Sequence, residues 1–212
     1  MTKKQRALKS IEALKKEYPN AVCSLNYKNP VQLLIATRLS AQCTDARVNI
    51  VTPPLFEKFP TLDAFINGSV EEIEEIIRSC GLYKTKARDI HAMCKMLKED
   101  FGGTVPDNIE ELTKLPGVGR KTANLIVGDV YHKPAVVTDT HCIRICGRIG
   151  ISEGKEPFKV EKQLRAVLPP EESNAFCHRL VLHGRAVCTA RSPKCSECCM
   201  KDFCKYAEGL SK

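Results

Sequence analysis

Leu115-Pro116-Gly117-Val118-Gly119-Arg120-Lys121-Thr122-Ala123 joins two helical stretches. Before it, Asp107-Asn108-Ile109-Glu110 opens a short helix expected to reach Leu115, because an Asx cap and an acidic first turn satisfy free N–H groups. After it, Lys121 to Val130 carries the apolar pattern of a second helix. Two glycines two positions apart permit a tight turn with positive φ and no Cβ in the way. Their N–H groups, beside a helix N-terminus, make a cradle for a phosphate oxygen. This is neither a P-loop, which needs a longer spacing and a preceding strand, nor a dinucleotide fingerprint, which needs a βαβ unit. The plainer reading is a helical corner that happens to use glycine. The basic pair Arg120-Lys121 just past the turn favours a phosphate partner.

Lys121 is the most informative residue of the stretch. In the first turn of a helix the macrodipole disfavours a cation, and Arg120 adds a second positive charge beside it. Both lower a lysine pKa, and partial burial would lower it further. Such an amine is a candidate nucleophile for a sugar carbon. A lysine that only contacts phosphate is the competing reading.

Outward from this hairpin the periodicity is helical. Leu8, Ile11, Leu14 and Tyr18 mark one face of a first helix that Pro19-Asn20 ends. Asn29-Pro30 starts a second, through the apolar run Val31 to Leu39. Ser69-Val70-Glu71-Glu72 is a capping box before Ile73, Ile76 and Ile77, with Gly81 a candidate stop. Ala87, Ile90, Cys94 and Leu97 form a further stripe up to Gly102-Gly103. Helices are also predicted over 140–148, 159–167 and 173–185. Ala135-Val136-Val137 is the best strand candidate and is short. The predicted class is all-α.

Three further constellations carry chemistry. Val137-Thr138-Asp139-Thr140-His141 leads into a basic helix with Arg144 and Arg148. Asp139 stands where an N-cap would stand, and a carboxylate held by helix N–H groups could also support a developing cation. Leu39-Ser40-Ala41-Gln42 and Gly81-Leu82-Tyr83 lie at element ends. Solvated Gln42 and core Leu82 are the plain readings. Against nucleic acid, Gln42 could enter the space of a displaced base and Leu82 could wedge between bases.

Twelve cysteines are many for such a chain. Cys23, Cys43, Cys80, Cys94, Cys142, Cys146 and Cys177 lie among apolar neighbours, as small buried hydrophobes do. The other five crowd between Cys188 and Cys204. Cys188-x6-Cys195-x2-Cys198-x5-Cys204 has the compact spacing of a metal centre. Zinc and a 4Fe–4S cluster both accept four thiolates. The single Cys-x2-Cys pair tilts the choice toward iron–sulfur, and Cys199 is a fifth cysteine that blurs the ligand count. Arg191 and Lys194 lie inside this loop, where a cluster could hold them against a phosphate backbone.

Composition sets the bounds. The chain has 212 residues, 43% apolar and 27% charged, with a formal net charge of +8. This excludes a wholly disordered or collagen-like chain and suits a polyanionic partner. No apolar run approaches the ~20 residues that span a bilayer. The basic start has no apolar stretch behind it, so no signal peptide is expected and the chain is expected in the cytoplasm.

Together the Leu-Pro-Gly-Val-Gly-Arg-Lys hairpin, Asp-Thr-His, Leu-Ser-Ala-Gln, Gly-Leu-Tyr and the four-cysteine spacing resemble the endonuclease III family of helix–hairpin–helix DNA glycosylases. The likeness runs from about Leu33 to Cys204 in order and spacing. It implies two helical domains flanking a DNA-binding cleft. Residues 25–134 would form a six-helix barrel with the hairpin at about 108–129. Residues 1–24 and 135–212 would form the iron–sulfur domain, with its cluster loop at 188–204. It implies Lys121 as nucleophile and Asp139 as its catalytic partner. Cys188, Cys195, Cys198 and Cys204 would ligate a 4Fe–4S cluster, with Cys199 a bystander. Gln42 and Leu82 would fill the gap left by a flipped base. Gly117, Val118, Gly119, Arg120, His141, Arg144, Arg191 and Lys194 are the further expected DNA contacts.

The function it implies is removal of oxidised or ring-saturated pyrimidines, with cleavage at the abasic site through a lysine Schiff base. The partner is double-stranded DNA with damaged bases or abasic sites. The protein is expected to be a monomer, nucleoid-associated if bacterial, with no membrane partner. Thr138, in a usually apolar position, and Cys142 depart from the pattern and bear on fine tuning of the site. The alternatives are a monofunctional adenine- or thymine-mismatch glycosylase, against which Lys121 counts, and a non-catalytic DNA-binding module. A zinc-binding transcription factor is the weakest.

Overall fold

The computed structural model describes residues 1–210. Twelve α-helices and three short 3₁₀ turns make up its regular structure, and no strand occurs among the described residues. The chain divides into two compact units, one of Cys23–Tyr131 and one of Met1–Val22 with the chain from His132 onward.

α1, Lys3–Glu17, opens the second of these units with a Thr2–Gln5 capping box and buries Ala7, Ile11 and Leu14.

The Cys23–Tyr131 unit is built around α2, Pro30–Ser40, whose Leu33, Leu34, Ile35, Ala36 and Leu39 are fully buried. A helix apolar on nearly every side belongs in the middle of a core. α3 is Asp45–Lys58, α4 Leu62–Asn67, α5 Val70–Ile77 and α6 Tyr83–Phe101. The short α7, Ile109–Leu112, and α8, Arg120–Asp129, form the hairpin. α2 packs against α3, α6 and α8, while α6 also packs against α4 and α5. α6 offers Ala87, Ile90, Cys94 and Leu97 at helical spacing, and all are buried. Gly102, at φ +60, ends it by donating its N–H to Leu97 O.

The other unit adds α9, Thr140–Ile149, α10, Pro157–Val167, α11, Ser173–Ala186, and α12, Lys205–Leu210. α11 packs on α1 and α9, and α12 packs on α9. Ala135-Val136-Val137, the strand candidate, forms no strand; all three side chains are buried in the core, as is Thr138 after them.

Three sequence expectations shift. The second hairpin cap is Asn108, not Asp107, and α7 stops at Leu112, short of Leu115. Gly81 does not take the left-handed stop position; Leu82 does, at φ +60. α3, α4 and α12 are absent from the helices that the sequence predicts; α3 carries Pro53-Pro54, which usually break a helix, inside it. Both prolines are exposed, so the carbonyls they leave unbonded face water.

Candidate functional site

The hairpin turn is shaped from below. Gly117 lies at φ +73, and a Cβ there would fall 2.5 Å from Arg38 Nε and 3.0 Å from Asp89 Cβ. Arg38, on α2, forks onto one oxygen of Asp89, on α6, through Nε at 2.8 Å and Nη2 at 2.5 Å. This half-buried ion pair fills the space that glycine leaves. Val118 is buried and turns its N–H back to Leu115 O at 3.1 Å, so its side chain anchors the turn in the core. Gly119 differs from the sequence expectation. Its φ of −93° and ψ of 173° are ordinary extended values, and a Cβ there would meet nothing within 4 Å. Having no side chain, Gly119 leaves the first N–H groups of α8 uncapped. Arg120 and Lys121, the first two residues of α8, are exposed. Lys121 thus stands at an open, positively polarised helix end.

Gln42 and Leu82 also project outward, in the same unit. Gln42 is exposed at φ +55, and Leu82 is 58% exposed at φ +60. Ala41, at φ −60° and ψ 114°, precedes Gln42, and Cys43 N donates to Ser40 O at 3.1 Å. That is a type II turn with glutamine where glycine is the usual residue. The two turns are neighbours: a Cβ on Gly81 would lie 3.5 Å from Gln42 O.

Asp139 belongs to the other unit and caps α9. Its Oδ1 accepts from Cys142 N at 2.7 Å, and its Oδ2 lies 3.5 Å from His141 Nδ1. The His141 ring reaches that position because residue 184, on α11, is glycine; a Cβ there would stand 2.4 Å from His141 Cδ2.

The cluster loop is held by the basic face of α9. Arg144, an expected DNA contact, turns inward instead: Nη2 donates to Cys188 O at 3.0 Å and to Gly184 O at 3.4 Å. Arg148 Nη1 donates to Cys188 Sγ at 3.3 Å and Thr189 O at 2.7 Å, and Nη2 donates to Ala190 O at 2.8 Å. Its guanidinium also stacks 4.8 Å from the Tyr206 ring centre. Arg191 and Lys194 stay exposed on the loop so fixed.

Cys188, Cys195, Cys198 and Cys204 line one pocket together with Arg148, and Cys199 is not among its lining residues. Among the described residues no three His, Cys, Asp or Glu side chains close on a single point that one ion would occupy. Four thiols that line one pocket can hold a metal centre, and the Arg148 guanidinium on Cys188 Sγ suits the negative charge of a thiolate-bound cluster. Sequence reading missed His183, which is buried with Nε2 3.4 Å from Cys198 Sγ and Nδ1 3.3 Å from the Tyr18 hydroxyl. Its one signal was proximity, five residues before Cys188.

The comparisons with known proteins agree. Residues 35–170 match the HhH-GPD superfamily of base excision DNA repair proteins, and residues 188–204 match the iron–sulfur binding domain of endonuclease III. The chain is 46% identical to endonuclease III of a Synechocystis species, covering 98% of this chain and 95% of that one. It is 43% identical to endonuclease III of Bacillus subtilis, covering 92% and 90%. A solved structure of a trapped endonuclease III–DNA covalent intermediate superposes with a TM-score of 0.93 at 43% identity over the whole of both chains. With its hairpin and its cluster cysteines in those matched segments, the chain belongs to the endonuclease III family: a DNA glycosylase and abasic-site lyase of base excision repair that carries a 4Fe–4S cluster.

Proposed function

We propose that Lys121 is the nucleophile of both reactions, that Asp139 is its catalytic partner, and that the bases removed are oxidised or ring-saturated pyrimidines. The observation that carries this reading is Lys121 itself, an exposed amine two residues past a glycine turn at the open end of α8. The solved relative trapped covalently on DNA supports an amine that bonds to the substrate.

The damaged base leaves the stack, at less cost than an intact one. Neutral Lys121 attacks C1′ of the sugar as the C1′–N bond breaks and the electron pair leaves with the base. Asp139, fixed by the bond its Oδ1 accepts from Cys142 N, offers Oδ2 to the positive charge that develops on the sugar. Opening of the sugar ring gives a Schiff base to Lys121 Nζ. Loss of a C2′ proton then expels the 3′ phosphate by β-elimination, and water releases the enzyme. Gly119 and the first N–H groups of α8 hold a phosphate, with Arg120, Arg191 and Lys194 as further contacts. His141 orients Asp139, and Gln42 and Leu82 fill the vacated stack.

Cys188, Cys195, Cys198 and Cys204 hold the cluster, which when bound ties both ends of the 188–204 loop to one rigid centre. We further propose that the protein works as a monomer in the cytoplasm, on the nucleoid of a bacterial cell. No helix among the described residues is long and apolar enough to cross a membrane.

A duplex with one oxidised thymine tests this reading. Wild type should release the base and leave a β-elimination end. Lys121→Gln should leave the strand uncut, and Asp139→Asn should lower both products roughly a hundredfold or more. Equal cleavage by Lys121→Gln would overturn the assignment.

A further inference from the structure

Two non-glycine residues of the Cys23–Tyr131 unit sit in the left-handed region, Gln42 and Leu82. Such a conformation is strained for a residue with a Cβ and persists only where its surroundings over-determine it. One buried lysine reaches from the second turn toward the first. Lys86 lies in the first turns of α6 and is fully buried. Its N–H donates to Leu82 O at 3.0 Å, closing the first turn of α6 directly onto the strained residue. Its Nζ donates to Leu39 O at 2.8 Å, one of the last carbonyls of α2, three residues before Gln42. A cation there also meets the negative end of the α2 dipole. The Cys43 and Cys80 thiols, each next to one turn, lie close enough to the Lys86 amine to act on it electrostatically. Burial pushes the Cys80 thiol up to about 11, and burial with the nearby Arg38 charge holds the Lys86 amine below its ordinary 10.5.

A buried charge is expensive, and it is kept where it fixes geometry. We propose that Lys86 is a positioning residue: it locks the Gln42 turn and the Leu82 turn into one rigid element that enters the helix stack together. The inference rests on the reading that Gln42 and Leu82 occupy the gap left by an extruded nucleotide. The lysine touches no substrate; it acts through the two turns.

The test uses the full-length, cluster-loaded protein and a duplex with 2-aminopurine opposite a non-cleavable abasic analogue. The probe brightens when wedged out of its stack. Wild type should bind and brighten it. Lys86→Met keeps length and loses the donor; it should bind the duplex but fail to brighten the probe, and base release from an intact duplex should fall roughly tenfold in kcat with little change in KM. Release of 2-aminopurine fluorescence by Lys86→Met equal to wild type would overturn the proposal. The doubly substituted Gln42→Ala, Leu82→Ala protein separates the two levels: if it still brightens the probe, the reading beneath the proposal fails whatever Lys86→Met does. Should Lys86→Met not fold, hydrogen exchange on wild type decides. The amides of Cys43 and Lys86 should be protected to the same degree and open together, whereas independent exchange would overturn the proposal.

Discussion

Gly117 and Gly119 are two residues apart and are used in different ways. Gly117 needs both its positive φ and its missing Cβ, because the Arg38 guanidinium occupies that space. Gly117→Ala should cost about 2–3 kcal/mol of stability, read as a lower urea midpoint. Gly119 has ordinary extended backbone and an open surface. Gly119→Ala should cost no more than about 1 kcal/mol, the difference between a glycine and an alanine cap. It should still weaken binding to an abasic duplex roughly tenfold, since its Cβ would project where the phosphate approaches. In sequence the two glycines look alike. What separates them is the Arg38–Asp89 pair, contributed from residues far up the chain, and no local pattern announces such a pair. The helix-start positions of Lys121 and Asp139 were legible because helix-start chemistry is local. The bond of Arg144 to Cys188 O was not legible, because it depends on where that carbonyl ends up after folding.

At the scale of elements, caps and stripes gave most helices to within a residue or two; α3, α4 and α12 escaped, and α3 carries inside it two exposed prolines, which usually break a helix. The grip of α9 on the cluster loop has a direct consequence. Arg148→Ala removes bonds to Cys188 Sγ, Thr189 O and Ala190 O and the stack on Tyr206. The visible absorbance of the cluster should then bleach several-fold faster in air, with DNA affinity falling as Arg191 and Lys194 lose their fixed position. Unchanged bleaching would deny the arginine that role. Packing of α1 on α11 carries a pH signature. Glu172 bonds to Lys15, on α1, and lies 3.3 Å from Arg179 Nη1, on α11. The Lys15 hydrogen bond, then its charge and Arg179, hold the Glu172 carboxyl below its ordinary 4.5. The unfolded chain therefore takes up the proton first on acidification. The stabilisation, about 1 kcal/mol after allowing for the exposed Lys15, is complete above pH 4.5 and is lost as pH falls through the folded value. The urea-midpoint gap between wild type and Glu172→Gln should be constant from pH 6 to 8 and should close below about pH 4.5.

At the scale of the molecule, the net charge of +8 is less informative than where the positive groups sit. Some are spent inside, such as Arg38 on Asp89 and Arg144 on the cluster loop. Others stay outside: Arg120 and Lys121 on the hairpin, Arg191 and Lys194 on the loop. Lys121 lies in one compact unit and Asp139 in the other. The decisive measurement is borohydride reduction of the protein on a duplex with one abasic site, followed by mass analysis of the peptide that stays bound to DNA. Reduction turns a Schiff base into a permanent amine link. The link should form with wild type, map to Lys121 and vanish in Lys121→Gln. A link that survives in Lys121→Gln, or maps to another amine, would contradict the assignment of Lys121 as the nucleophile.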